Sequence, residues 1–102
     1  MDIEKLRAVM STEDGRQAIH DILMLTGVYS TYYGESVTNM VLIGRRTIGT
    51  EILQHIRNIK SVGEAEDGLA LEYRMLREAQ ERQERETEAA KKAWENFYRK
   101  DD

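Results

Sequence analysis

The chain contains no cysteine and no proline among its 102 residues. Without cysteine it has no disulfide framework, no thiolate nucleophile and no zinc site built on cysteine, which indicates a protein made in a reducing cytosol. No unbroken aliphatic run exceeds four residues, against the roughly 20 that a membrane span requires. The start of the chain lacks the layout of a secretory signal. This length excludes a multidomain enzyme and favours one modest domain.

Excess basic charge is also lacking. The net charge is -4 and the sequence pI is about 5.2, which weighs against nonspecific nucleic-acid binding because that binding needs a dense basic face. Residues 1–60 carry seven acids and seven bases, whereas residues 61–102 carry twelve acids and eight bases. The chain therefore has two compositional halves.

Hydrophobic spacing predicts two short helices at the start of the chain. The first covers about residues 2–10, and the second runs to about Leu25 with Ser11 or Thr12 as its N-cap. Gly27 stands where a left-handed C-terminal cap needs a residue without a Cβ. The expected apolar face of the second helix consists of Ala18, Ile19, Ile22 and Leu23, with Leu25 as a further candidate.

The strongest periodic signal predicts a third helix, capped by Ser36. Its apolar stripe keeps spacings of three or four residues: Val37, Met40, Val41, Gly44, Ile48, Ile52, Ile56 and Ile59. Gly44 and Gly49 each cost roughly 1 kcal/mol relative to alanine in a helix interior. Residues 26–36, with two glycines and three tyrosines, are predicted to form a loop, which we call the tyrosine-rich loop. We expect this loop or the second helix to approach the third helix closely at Gly44 and Gly49.

A break is predicted over residues 61–68, followed by a fourth helix from about Leu69 to Tyr98. Leu69, Tyr73 and Leu76 are expected to pack its first turns, and the polar residues 77–88 offer no expected buried position. Acid-before-base pairs at i,i+4 support a free helix: Glu78 with Arg82, Glu81 with Arg85, Glu88 with Lys92 and Glu95 with Arg99. The predicted fold is all-α, with a compact three-helix unit over residues 1–62 and an extended, largely polar helix over residues 63–102.

Few residues could carry chemistry. His20 and His55 are the only histidines, and each is better explained as a boundary residue of a helix than as a base or a metal ligand. The segment from Gly44 to Thr50 lacks the ending of a phosphate-binding loop and falls inside a helix. We predict no catalytic residue, no cofactor and no metal.

Aromatic and basic residues supply the candidates for binding. The loop residues Tyr29, Tyr32 and Tyr33 fit core packing or interface anchoring better than base stacking, because no basic residue accompanies them. Arg45 and Arg46 could bind an acidic partner or phosphate, or pair locally with acids such as Glu51. Three aromatic residues return after the polar stretch and could fold back on the domain or, as we favour, dock on a neighbouring subunit: Trp94, Phe97 and Tyr98.

A combination of motifs resembles a known family. The motifs are Gly15-Arg16, the run ILMLTGVYSTYYGES over residues 22–36, Gly44-Arg45-Arg46 with Ile48-Gly49, and Ile52-Leu53. Together they resemble small tailed-phage proteins, particularly of short-tailed phages, that are encoded among the portal and capsid genes, and the match covers about residues 2–58. The resemblance implies a virion or virion-assembly component, made in the host bacterial cytoplasm, with no enzymatic activity.

Three functions remain open from the sequence. The leading hypothesis is a noncatalytic structural protein of the virion that docks on a portal, tail or capsid protein and forms a homo-oligomer. The second is a scaffolding or internal protein that is lost or ejected after head assembly. The third is a helix-turn-helix DNA-binding regulator, which the long connection before Ser36 disfavours because the usual turn has three or four residues.

Overall fold

Within the described residues the protein forms four α-helices. A computed structural model describes the backbone of residues 1–30 and 37–99, and side chains within that range except those of residues 37–39. Helix α1 spans Ile3–Met10, α2 spans Glu13–Thr26, α3 spans Val37–Arg57 and α4 spans Gly68–Arg99. The predicted all-α class, with a long C-terminal helix after three shorter ones, is confirmed.

Side-chain and backbone caps fix the bounds of the first two helices. The Asp2 carboxylate accepts from the N–H groups of Glu4 and Lys5 at the start of α1. Thr12, one of the two predicted caps, accepts from the Gly15 N–H at 3.0 Å to begin α2. Gly27 ends α2 with φ of 73°, which confirms the predicted left-handed cap, since few residues other than glycine adopt that conformation without cost. The predicted Ser36 cap of α3 lies outside the described residues.

Glycines mark where α3 touches α2 and where it does not. A Cβ added at Gly49 would lie 2.2 Å from Thr26 Oγ1 and 2.8 Å from the Val28 Cβ, so the predicted close approach of the end of α2 is confirmed there. At Gly44 no described atom would lie within 4 Å of such a Cβ, so α2 does not approach there, and the predicted alternative of a contact with the tyrosine-rich loop falls on residues outside the described range. The first half of α3 therefore extends beyond α2.

The core lies at the junction of all four helices. Eight apolar side chains are buried there: Leu6, Met10, Leu23, Leu53, Ile56, Ile59, Leu71 and Met75. These residues come from both sides of the predicted boundary at residue 62. In α2 only Leu23 of the predicted face is buried, with Ile19 packed at its edge, while Ile22 and Leu25 are exposed. Among the described residues of the stripe predicted for α3, only Ile56 and Ile59 are buried, and Ile59 lies just beyond the end of the helix.

The buried face of α4 differs from the predicted one. Leu69 and Tyr73 are 62% and 67% exposed, whereas Leu71, Glu72 and Met75 are buried; of the three predicted packing residues, only Leu76 contacts the core. The physical reason is that Glu72 pairs with Arg57, and a paired carboxylate can be buried where an unpaired one cannot. No residue of 77–88 is fully buried, as expected, although the Glu78 side chain is only 14% exposed.

Residues 58–67 connect α3 to α4 where the break was predicted, with a tight turn at residues 62–65 in which the Ala65 N–H donates to the Val62 carbonyl oxygen. Gly63 has φ of 60°, and the Asp67 carboxylate accepts from the Ala70 N–H at 2.9 Å to begin α4. A Cβ at Gly68 would lie 1.8 Å from the Ile56 carbonyl oxygen, so the start of α4 lies directly on the end of α3. The described part of the molecule measures 58 × 45 × 16 Å. None of its helices is both long enough and apolar enough to cross a membrane.

Candidate interaction surface

A partly buried ion pair joins α2 to α4. Arg16 is 6% exposed, and its Nε and Nη2 donate to the two Glu78 carboxylate oxygens at 2.5 and 3.1 Å. Its Nη1 donates to the Met10 carbonyl oxygen at 3.0 Å, so the same guanidinium also fixes the end of α1. The hydrogen bonds from Arg16 lower the pKa of Glu78 below its ordinary value of 4.5. Arg16 therefore has a structural role in the fold.

Further ion pairs fix the first turns of α4. The Arg57 Nε donates to Glu72 Oε1 at 2.7 Å, and this hydrogen bond raises the pKa of Arg57. Arg74 pairs with Glu66 in the connection before α4. These pairs and Arg16–Glu78 were not predicted from the sequence. The available signal was the spacing that places Glu78 on the same helical face as Leu71 and Met75.

A small cleft lies among these charged residues. Its volume is about 180 Å³, below the roughly 300–1,000 Å³ of most small-molecule sites. It is lined by Arg7, Ser11, Arg16, Glu64, Ala65, Glu66, Leu71 and Arg74. Arg16 and Arg74 are already paired with carboxylates, and Arg7 donates from Nη2 to the Lys60 carbonyl oxygen at 2.5 Å. These arginines connect helices and loops of the chain.

His20 lies on α2 and His55 lies on α3, as predicted. Burial lowers the pKa of His20, with a further lowering from Arg82 and an opposing effect from Asp21. His55 is half-buried on α3. The part of the chain that the structure describes contains no grouping of three histidine, aspartate or glutamate residues that could hold a metal ion.

Among the predicted tyrosines, Tyr29 lies beside the core and the other two are not described. The Tyr29 side chain is 38% exposed, and its ring centroid lies 6.5 Å from that of His20. Burial, together with a smaller contribution from the Glu72 carboxylate and against an opposing effect of Arg57, raises the pKa of Tyr29 to about 12. Tyr32 and Tyr33 lie outside the described residues.

The two predicted arginines of α3 differ in their contacts. Arg46 Nη2 donates to the Ser30 carbonyl oxygen at 2.5 Å, so this residue ties α3 to the segment after α2. Arg45 is exposed on the surface of α3. The local pairing considered with Glu51 is not among the described ion pairs.

Seven exposed apolar residues lie near the end of α2 and between residues 40 and 48 of α3. Each of them is at least 46% exposed: Ile22, Met24, Leu25, Met40, Val41, Ile43 and Ile48. We call these residues the α2–α3 surface. Single exposed apolar residues are ordinary, but several on adjoining segments are typical of an interaction site.

A second apolar group lies at the end of α4. Trp94, Phe97 and Tyr98 are 62%, 64% and 55% exposed. The Tyr98 ring contacts the Trp94 ring edge-on, with centroids 4.6 Å apart, and lies 5.9 Å from that of Phe97. The alternative in which these rings fold back into the core is therefore not what the structure shows. Their predicted contact with a neighbouring subunit stays a prediction.

Fold and surfaces together define a small all-α protein with a core at the helix junction and a long charged C-terminal helix. The model of the Bbp19-like phage protein family matches residues 6–70, which are 65 of the 102 residues. The chain therefore belongs to this family and is a phage protein, as its motifs predicted. The match includes the first turn of α4 and ends before its polar part. Comparison with curated proteins and with solved structures found no match to the chain.

Proposed function

We propose that this phage protein is a noncatalytic structural component of the tailed-phage virion, made in the host cytoplasm, that docks on a portal, tail or capsid protein and self-associates. The observation that carries the proposal is the α2–α3 surface. Leu25 at 78% and Met40 at 71% are among its most exposed residues, and a chain this small has little other core with which to cover them. A larger protein would cover this surface.

The charged groups support a structural role. Two of the best-placed guanidinium groups, those of Arg16 and Arg57, bind carboxylates of α4 in the folded chain. General acid–base or nucleophilic catalysis needs such groups to converge on an open site large enough for a substrate. Here they join helices: Arg16 lines a cleft of about 180 Å³, and Arg57 lines a separate depression that is open to solvent. This is why we propose a protein without catalytic activity.

The test is co-purification with the portal, tail and capsid proteins of the same phage, each expressed separately with this chain. We expect one of the three to be retained by the wild type. Leu25→Asp with Ile43→Asp should abolish retention. Both positions are exposed in the free chain, and docking of the partner would bury an unpaired carboxylate at each of them.

A matched control uses the exposed polar positions Gln17 and Gln54 on the same two helices. Gln17→Asp with Gln54→Asp adds the same charge and should leave retention unchanged. Retention of none of the three proteins, or equal loss in both double variants, would contradict docking through the α2–α3 surface.

The extended charged helix supports a second candidate, a scaffolding or internal protein. Residues 80–99 contribute no side chain to the core, which suits a segment that contacts partners only during assembly. Quantitative mass spectrometry of precursor heads and mature particles separates the two functions. A virion component is present in both, whereas a scaffold is lost from the mature particle.

A further inference from the structure

Uncharged residues recur along α4 at alternating spacings of four and three. Fourteen of its 32 residues are charged, yet none of these falls on the repeat. We call the repeat the seam: Leu69, Tyr73, Leu76, Gln80, Gln83, Thr87, Ala90, Trp94 and Phe97. A mean spacing of 3.5 residues is the heptad repeat of a coiled coil, in which alternate seam residues occupy the a and d positions.

The fold leaves the seam open. The core uses a neighbouring face of α4, through Leu71 and Met75. Seam residues at both ends of the helix are exposed, Tyr73 at 67% and Phe97 at 64%. Leu76 alone among the seam residues packs against the core. A partner helix could therefore lie along most of the seam without displacing any element of the fold.

We propose that α4 pairs along the seam with α4 of a second copy of this chain, as a parallel two-stranded coiled coil. A straight helix drifts about 20° per heptad relative to a 3.5-residue repeat, so a repeat kept over four heptads fits a partner that carries the same repeat. A second copy does so by definition. The proposed function includes self-association, and this pairing assigns the seam as the surface that mediates it. In that respect the inference rests on the proposed function.

Charges beside the seam favour the parallel orientation. In a parallel pair, the residue before an a position faces the residue five places further along the second copy. Glu86 then faces Lys91 of the second copy, and symmetry repeats this attraction. The next such pair, Ala93 with Tyr98 of the second copy, carries no charge. No like charges meet.

The antiparallel orientation has the opposite charge pattern. With the two helices fully overlapped, residues that follow the d positions face one another. Arg77 would face Lys91 of the second copy, and symmetry repeats this contact. Glu84 would face Glu84 of the second copy. These like-charge contacts oppose antiparallel pairing.

Seam composition indicates a specific but modest association. The aromatic layers, Trp94 and Phe97, supply the largest apolar contact. Gln80, Gln83 and Thr87 form polar layers in the middle, and polar residues at such positions fix register at a cost in stability. We therefore expect a reversible dimer that dissociates on dilution.

The orientation is tested by single cysteines, which the cysteine-free chain makes unambiguous. In the parallel pair Thr87 occupies an a position and faces Thr87 of the second copy, within the Cα separation of about 5.5 Å that a disulfide spans. Thr87→Cys should therefore form a covalent dimer on mild oxidation, whereas Arg85→Cys, on the outer face, should stay monomeric under denaturing electrophoresis. Equal crosslinking of both, or none for Thr87→Cys, overturns the parallel seam.

The charge pairing is tested by exchange. Sedimentation equilibrium should show roughly tenfold weaker dimerisation for Glu86→Lys and for Lys91→Glu, because each replaces two attractions with two repulsions. The double variant E86K/K91E should recover the wild-type dissociation constant. Residues five apart on one helix do not face each other, so recovery identifies contact between copies. Additive weakening in the double variant overturns the assignment.

Substitution of the aromatic layers separates this inference from the proposed function. Trp94→Glu with Phe97→Glu should leave a monomer in native mass measurements, while Ala89→Glu with Asn96→Glu, exposed off the seam, should leave the dimer intact. A wild type that is monomeric at every concentration overturns the pairing, as does an oligomer that survives both double variants. Virion-protein docking, which uses the α2–α3 surface, is measured separately in either case.

Discussion

Residues 68–79 and 80–99 belong to one continuous helix, yet only the first stretch contributes side chains to the core. In that stretch Met75 is fully buried, and Glu72 and Glu78 pair with arginines of α3 and α2. The second stretch is almost entirely exposed. Tertiary packing stabilises the first, and the second depends on helix propensity and side-chain pairs within the helix.

The second stretch is the part of α4 whose stability a partner can change most. Isolated helices are marginal in water even for favourable sequences, and most helical stability in proteins comes from packing. Residues 80–99 are rich in strong helix formers such as alanine, glutamate, lysine and arginine, but a second surface would add most to their stability. If the two stretches are as distinct as the structure indicates, substitutions at packed positions should change stability far more than substitutions at exposed positions. The same contrast should hold in the rest of the fold.

The largest expected effect comes from breaking the ion pair that fixes the first stretch. Arg16→Met leaves the partly buried Glu78 carboxylate and the Met10 carbonyl oxygen without their partner and should lower the free energy of unfolding by about 3 kcal/mol. Arg85→Met, at an exposed position in the second stretch, should change it by no more than about 0.5 kcal/mol. Urea denaturation at one fixed protein concentration measures both. Equal losses would show that the second stretch is also held by tertiary contacts.

Of similar size is the expected contrast between two leucines of α2. Leu23 is fully buried and Leu25 is 78% exposed. Leu23→Ala should cost about 2–5 kcal/mol through lost burial and the cavity that remains, while Leu25→Ala should lie within about 0.5 kcal/mol of the wild type. Thermal unfolding of the isolated protein gives the comparison. A large loss at Leu25 would indicate that the α2–α3 surface is already covered in the free protein.

Two glycines of α3 should respond with opposite signs. Gly49→Ala places a Cβ against Thr26 and Val28 and should destabilise the fold by about 1–3 kcal/mol. Gly44→Ala meets no described atom within 4 Å and should stabilise it by roughly 1 kcal/mol through helix propensity. Denaturation midpoints of the two variants decide this. Destabilisation by both would mean that the first half of α3 packs more closely than described.

The smallest effect concerns pH. The pKa of Glu78 is lowered in the folded protein, so its contribution to stability is complete above its unfolded value of about 4.5 and is lost as the pH falls through the lower folded pKa. Glu78→Gln removes this titration. The free energy of unfolding should therefore fall less steeply below pH 4.5 in the variant than in the wild type. Parallel slopes would assign the acid sensitivity to other carboxylates.

Much of the fold could be predicted because its signals are local. The N-cap at Thr12 and the left-handed Gly27 depend on backbone geometry within a few residues, and the start and end of α4 follow the predicted bounds within one residue. Residues that would bind a partner were harder to predict from the sequence. Trp94 and Phe97 lie exposed in the structure, but exposure by itself does not say what covers them, and Tyr32 and Tyr33 lie outside the described residues.

The sequence by itself determined the all-α class, the caps of α2 at Thr12 and Gly27, and the division into a balanced half and an acidic half, since these follow from composition and from neighbours along the chain. Only the tertiary structure decided which face of each helix is buried. Arg16, Glu72 and Glu78 read as solvent-facing charges until the fold pairs them across helices. A hydrophobic pattern assigns charged residues to the outside, whereas desolvation is tolerated once an opposite charge lies within hydrogen-bond distance.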